Sequence, residues 1–130
     1  MQWQFCTMFR RGQRTAVREA VNEKAEWLLS LVGASPRGGA VLVAQIGEEV
    51  VGAALFRIVP GEAELLALVT DPNHRHRGIG RKLVFEVSLR ARANGCARVR
   101  VRIAKADDAA LAFFRGLRFD ETHVALDLAL

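Results

Sequence analysis

Between Asp71 and Leu83 the chain reads DPNHRHRGIGRKL, with Gly78 and Gly80 one residue apart among Arg75, His76, Arg77, Arg81 and Lys82. Glycine at a helix start costs backbone entropy that alanine would not, so chemistry that uses bare backbone is the first candidate. A helix N-terminus presents unsatisfied N–H groups and the positive end of its dipole, which suits an anion. Successive N–H groups can form a concave nest for a pyrophosphate, and the arginines and Lys82 add positive field. A P-loop is excluded, because no Gly-x-x-x-x-Gly-Lys-Ser/Thr occurs. The dinucleotide fingerprint fails too: Leu83 stands where its third glycine belongs, and Arg100 lies near where its acid belongs. A tight turn with solvated arginines would use the same residues, and Gly-x-Gly alone does not decide.

Other reactive side chains are sparse. His74 and His76 form His-x-His, but only His123 remains elsewhere and no cysteine lies near them in sequence, so no metal site is expected. No Gly-x-Ser-x-Gly elbow exists for a serine nucleophile. Cys96 follows Gly95 at a helix end and reads as a small core residue, and Trp27 likewise reads as core. Asp107 or Asp108 suits a helix cap. Phe113 and Phe114 could line an apolar pocket or simply pack. Arg98, Arg100 and Arg102 alternate with Val99, Val101 and Ile103, so they share one strand face. That face could track phosphates, attract an acidic acceptor such as a carboxylate-bearing amine or an acidic protein tail, or be solvated or salt-bridged. Aromatics that would stack on bases are not interleaved with these arginines, which weakens a nucleic-acid reading.

The elements that must position these groups follow from periodicity. Trp3, Phe5, Thr7 and Phe9 alternate as a strand; Val17, Val21, Ala25, Leu28 and Val32 suggest one long helix from about Arg14 to Leu31, ended by Gly33 and Pro36. AVLVAQI and VVGAALFRI form a hairpin across GEE, and PGEA turns into the buried run ELLALVT. Ile79, Leu83, Val87 and Ala91 mark a second helix to Gly95, ARVRVRI is a strand, a short helix passes through Phe113, and HVALDLAL closes the sheet. With 130 residues, 51% hydrophobic and 25% charged, and no linker or repeat, residues 1–130 make one α/β domain. The net charge of +5 favours an anionic partner. Two cysteines give no disulfide framework, and no run approaches a membrane span, so a cytoplasmic protein without membrane attachment is expected.

Taken together, Val69, Pro72 and Arg75-His76-Arg77-Gly78-Ile79-Gly80 resemble the acyl-CoA-binding motif of the GCN5-related N-acetyltransferase (GNAT) superfamily, and the order of elements resembles that family along nearly the whole chain. The resemblance implies a mixed, mainly antiparallel central sheet with flanking helices and a splayed acyl-CoA-binding strand pair. It implies acetyl-CoA as cosubstrate, with the backbone of Ala67, Leu68 and Val69 pairing the pantetheine arm. The N–H groups of His76 through Arg81 would hold the pyrophosphate beside Arg75. The acceptor would be a primary amine that attacks the thioester directly in a ternary complex, its oxyanion held by a strand N–H.

A lysine-like amine titrates near ~10.4 and needs a base near neutral pH. Glu64, eleven positions before Arg75, matches the offset of the basic glutamate in the histone acetyltransferase branch; a solvated Glu64, or Glu62 as base, uses the same stretch. Many members place a tyrosine acid where Phe114 stands, and a glycine where Arg118 stands, whereas this chain has no tyrosine. Expelling a thiolate of pKa ~8.5 near pH 7.5 is uphill by only ~1.4 kcal/mol, so water can protonate it afterwards. The alternatives are a weakly catalytic acyl-CoA-binding or regulatory module, and a nucleic-acid-binding protein using the arginine face. A homodimer through the terminal strand is a further expectation.

Overall fold

The computed structural model describes residues 15–74, 78–103, 107–121 and 126–130. The strand expected at Trp3–Phe9 lies outside them. The single helix expected from Arg14 to Leu31 is instead strand β1 (Thr15–Glu19) followed by helix α1 (Glu23–Ser30). Asn22 starts the helix by accepting a hydrogen bond from the Ala25 N–H at 2.8 Å, with Glu23 and Glu26 in the first turn. Residues upstream of that cap pair as an antiparallel strand, from Thr15↔Ile46 to Glu19↔Leu42. The later start also sets which side is buried. Ala25, Leu28 and Leu29 face the core, while Trp27, expected there, is 49% exposed with Lys24 Nζ 5.8 Å from its ring centroid.

The chain continues through β2 (Ala40–Ile46), β3 (Glu49–Val59), β4 (Glu62–Thr70), α2 (Ile79–Ala93), β5 (Arg98–Val101), α3 (Asp108–Gly116), β6 (Asp120–Glu121) and β7 (Leu126–Ala129). Short 3-10 turns at Pro36–Gly38 and Pro72–His74 punctuate it. The sheet runs β1-β2-β3-β4-β5-β7-β6, antiparallel throughout except for the parallel pair β4–β5. The mixed, mainly antiparallel expectation is met. The terminal strand is covered on its outer side in part: β7 pairs with β5 along its length and, at Leu126 and Asp127 only, also with β6. No described helix is long and apolar enough to cross a membrane.

Strand alternation divides the core in two. Ala54, Phe56, Ala63, Leu65, Val99 and Leu126 face Ile79, Leu83 and Val87 of α2 and Phe114 of α3. Val41, Val43, Ala53, Leu55 and Val69 face α1. The eight residues of α1 pack on β3 and β4 and leave the same face of β5 and β7 to charged side chains. Two β-bulges adjust the strands, one between Ala44 and Gln45 of β2 against β3 and one where Leu66 of β4 has no opposite residue between Leu55↔Ala67 and Phe56↔Leu65. The second bulge moves β4 out of phase: Ala63 and Leu65 face α2 before it, Leu68 after it.

Gly52 of β3 sets the seat of α2. A Cβ there would lie 2.8 Å from Ile79 Cγ2, 3.2 Å from Leu83 Cδ1 and 3.2 Å from the Val69 carbonyl oxygen. Gly52→Ala is expected to cost about 1–3 kcal/mol by overpacking, read as a fall in thermal midpoint. The end of α3 carries the opposite mismatch. Phe119 N–H donates to the Phe114 carbonyl and Arg118 N–H to the Arg115 carbonyl, each at 3.0 Å, and the Phe114 and Phe119 rings meet edge-on at 5.1 Å. The left-handed position of this cap is Arg118, with φ of 72°, where a side chain strains the backbone. Arg118→Gly is therefore expected to raise stability by about 0.5–1 kcal/mol in the same thermal assay.

Candidate active site

Strand β4 hydrogen-bonds to β3 along its whole length, but to β5 only from Glu62↔Arg98 to Leu65↔Val101. Beyond that vertex, no described strand pairs with Leu66–Thr70 on the β5 side. The Asp71 N–H to Val51 bond sets the phase of the ladder, so Ala67 and Val69 turn their N–H and C=O groups to β3, and of the residues singled out in the sequence only Leu68, with Thr70 beyond it, presents them to the open edge. Exposed backbone of this kind accepts an extended ligand as it would another strand. The Leu66 bulge lies one residue past the vertex.

The far end of that edge leads into α2. Gly78 is its N-cap with φ of 73°, a left-handed conformation that favours glycine, and Lys82 N–H to the Gly78 carbonyl at 3.0 Å is the first intrahelical bond. No side chain caps α2, and its first turn holds no acid. By contrast α1 is capped by Asn22, and α3 by Asp107 through the Ala110 N–H at 3.1 Å, the cap the sequence suggested. The N–H groups of Ile79, Gly80 and Arg81 thus stand where an anion could take them up. Ile79 itself contributes backbone only, since its side chain is buried on the sheet. Arg75, His76 and Arg77 lie outside the described residues.

The two phenylalanines divide their work. Phe114 is in the core, edge-on to both Phe113 and Phe119. Phe113 is 36% exposed, and its Cζ lies 3.2 Å from where a Cβ on Gly80 would stand, with Leu68 Cδ2 at 3.7 Å. The ring that reaches the splayed edge is Phe113, one position before the residue named from the motif. Helical phase decides this, because Phe114 rather than Phe113 falls on the buried side of α3.

Asp71, buried where β4 leaves the sheet, ties the glycine loop to the rest of the domain. Its N–H donates to the Val51 carbonyl at 2.8 Å, its carboxylate accepts from the Asn73 N–H at 3.0 Å, and its carbonyl accepts from the His74 N–H at 2.8 Å. Lys24 Nζ of α1 lies 2.9 Å from Asp71 Oδ2 and 3.9 Å from Glu49 Oε2. The hydrogen bond from Lys24, then that from Asn73, holds the Asp71 carboxyl below its ordinary pKa against the effect of burial. Ligand atoms of Glu49, Asp71 and His74 lie within 4.8 Å of one another, a grouping the sequence does not reveal. The Lys24 ammonium already supplies their cation.

On the face that α1 leaves uncovered, the charges form cross-strand rows. Arg57 of β3, Glu64 of β4, Arg100 of β5 and Asp127 of β7 are directly opposite one another in register. Arg100 binds Asp127 with two hydrogen bonds, 2.9 and 3.2 Å, and lies 3.5 Å from Glu62. The bond to Asp127 holds its guanidinium yet more firmly protonated. Arg98 lies 4.0 Å from both Glu62 and Asp127. Glu64, 9% exposed, accepts from Arg57 Nε at 2.5 Å, and its other oxygen lies 3.6 Å from Arg102 Nη1. The arginine face is therefore ion-paired, and Glu64 is a buried carboxylate at the vertex of the splay. Arg57 comes from the neighbouring arm of the same hairpin, seven residues before Glu64, and carries no motif that could have identified it.

The sequence profile of the acetyltransferase (GNAT) family matches residues 2–119. The chain belongs to that family. Among solved structures, Ard1 from Thermoplasma volcanium is similar with a TM-score of 0.77 at 16% identity, covering 89% of this chain and 97% of that one. A GNAT family acetyltransferase from Elizabethkingia anophelis with acetyl-CoA bound gives 0.75 at 13% identity, covering 89% and 98%. The ribosomal-protein-S18-alanine N-acetyltransferase from Escherichia coli gives 0.74 at 14% identity, covering 89% and 94%. At such identities the likeness is one of fold. No curated protein matches the sequence significantly.

The Asp71 tie is open to a pH test. Its folded-state pKa is depressed, so its contribution to stability is complete above the ordinary aspartate value of about 3.9 and disappears as pH falls through the lower folded value. Asp71→Asn is expected to cost about 1–3 kcal/mol at pH 7. The gap between the two proteins in denaturant titrations should stay constant down to about pH 5 and narrow below pH 4.

Proposed function

We propose that this acetyltransferase uses acetyl-CoA to acetylate a primary amine by direct attack in a ternary complex. The observation that carries the reading is the continuity of the open β4 edge with an uncapped helix N-terminus. From Leu66 to Thr70 the edge spans roughly 13 Å at the usual strand rise. An arm with two amides lies along it, exchanging hydrogen bonds with the outward-facing backbone of Leu68 and Thr70. The pyrophosphate end rests on the N–H groups at the start of α2, through Arg81, with Arg75, His76 and Arg77 completing the cradle. Phe113 packs beside the arm in place of the buried Phe114.

That orientation brings the thioester to the vertex, next to Leu66 and Glu64. An unpaired strand N–H there holds the oxyanion as the amine attacks the carbonyl carbon. Glu64 takes the proton from the incoming ammonium, directly or through a water. The tetrahedral intermediate then expels the thiolate, the nitrogen gives up its second proton through water, and the thiolate takes a proton from the same solvent. The chain has no tyrosine to supply one, and the cost of leaving as thiolate near neutral pH is only ~1.4 kcal/mol. No covalent acyl-enzyme is needed.

Acetyl-CoA at ~100 times its Kd is expected to stabilise the protein by about 2.7 kcal/mol, a thermal shift of several degrees that ATP and NAD do not reproduce. Gly78→Ala should lower stability by about 1–2 kcal/mol and reduce that shift, because a side chain disfavours the left-handed cap. Glu64→Gln should keep the shift while kcat falls about 100-fold near pH 7. The loss should shrink at higher pH, where the amine is neutral without help. A saturable shift with no turnover of any amine would assign the chain to the acyl-CoA-binding alternative.

A further inference from the structure

The charges around the vertex describe the acceptor, granted the acetyltransferase reading above. Four arginines, Arg57, Arg98, Arg100 and Arg102, meet three carboxylates, Glu62, Glu64 and Asp127, on this face. Asp120 of β6, opposite Asp127, adds a carboxylate at the far end, so the positive excess is local, at the Arg57 and Arg102 end. Arg100 is fully engaged between Asp127 and Glu62. Arg102 has only one described ionic contact, at 3.6 Å, and its side chain is 61% exposed. Arg57 gives its Nε to Glu64 while its side chain stays 52% exposed, and its terminal nitrogens have no described partner. A guanidinium has five N–H donors, and each of these two commits little of that capacity to the fold.

Both arginines flank the one carboxylate placed to receive the acceptor's proton. An ammonium approaching Glu64 with no negative charge of its own must pass two guanidiniums. One that carries a carboxylate a few bonds away brings that group to Arg102 or Arg57 as its nitrogen reaches Glu64. One adjoining wall comes from the loop before β2. The turn Pro36–Gly38 sits over the bulge, with a Cβ on Gly38 3.4 Å from Leu55 Cδ2 and 3.7 Å from Leu66 Cδ1, and one on Gly39 3.2 Å from Arg57 Cβ. We infer that the acceptor is a small primary amine bearing a carboxylate close to the nitrogen, bound through Arg102 and Arg57. These are specificity residues, and Glu64 alone among them handles the proton.

The test is steady-state acetylation of paired amines that differ only in a carboxylate or a carboxamide beside the amine, with acetyl-CoA thermal shifts recorded on every protein. The wild type is expected to favour the carboxylate partner in kcat/KM by about ten- to hundred-fold, as befits a charge-assisted bond. In Arg102→Gln and Arg57→Gln that preference should collapse through KM, with the acetyl-CoA shift retained. A peptide beginning with an acidic residue, run beside the free amino acid, separates the two sources of this chemistry, and the free amino acid should be preferred. Turnover with no carboxylate preference, a preference that survives both substitutions, or a better peptide would overturn the inference and leave the transferase reading standing. An acetyl-CoA shift with no amine turned over would overturn both.

Discussion

Strand β4 is paired on both sides for only part of its length, and the rest of the domain follows from that constraint. On one side it is paired with β3 from end to end; on the other, β5 leaves it after Leu65. Backbone donors and acceptors that find no partner carry a penalty of about 1–3 kcal/mol each when buried, so the opening persists only where water or a ligand can satisfy them. The Leu66 bulge sits at this point and shifts the phase of β4, which keeps Val69 against α1 and Leu68 against α2 on the outer stretch. Parting from β5 and changing phase happen within two residues, which concentrates the site at one vertex.

Two further devices hold the opening in place. The absence of a side chain at Gly52 lets Ile79 and Leu83 reach the sheet, which fixes where the first turn of α2 points. Asp71 fixes the other end of the loop through backbone bonds to Val51 and Asn73 and the ion pair with Lys24. Neither touches the proposed ligand path. Both determine whether the N–H groups of Ile79, Gly80 and Arg81 line up with the β4 edge. The uncovered half of the opposite sheet face follows from economy of length: a helix of eight residues cannot span β5 and β7 as well as β3 and β4, so ion pairs between adjacent strands take its place.

Much of this was legible along the chain. The glycine pair among basic residues, the hairpin across Gly47, the buried run through Val69, the α2 periodicity and the Asp107 cap are local signals, and each appears where its pattern placed it. The open edge was reached only through the family resemblance, since nothing in ELLALVT distinguishes a strand paired on both sides from one paired on one. Errors arose where two local patterns competed. Val17 fits a helix by spacing and a strand by pairing with β2, and Asn22 settles the matter only once Thr15–Glu19 has a neighbour to pair with.

By itself, then, the sequence determined the elements from Ala40 onward, the glycines at the start of α2 and the alternation that puts three arginines on one face, because hydrophobic period, glycine and proline act over a few residues. Tertiary structure decided which groups meet. It set Arg57 against Glu64 across two strands, joined Lys24 to Asp71, turned Phe113 rather than Phe114 toward Gly80, and converted a basic stripe into a paired network with a small positive excess. Those choices depend on strand register and helix phase, which are fixed by burial and backbone pairing between segments far apart in the chain.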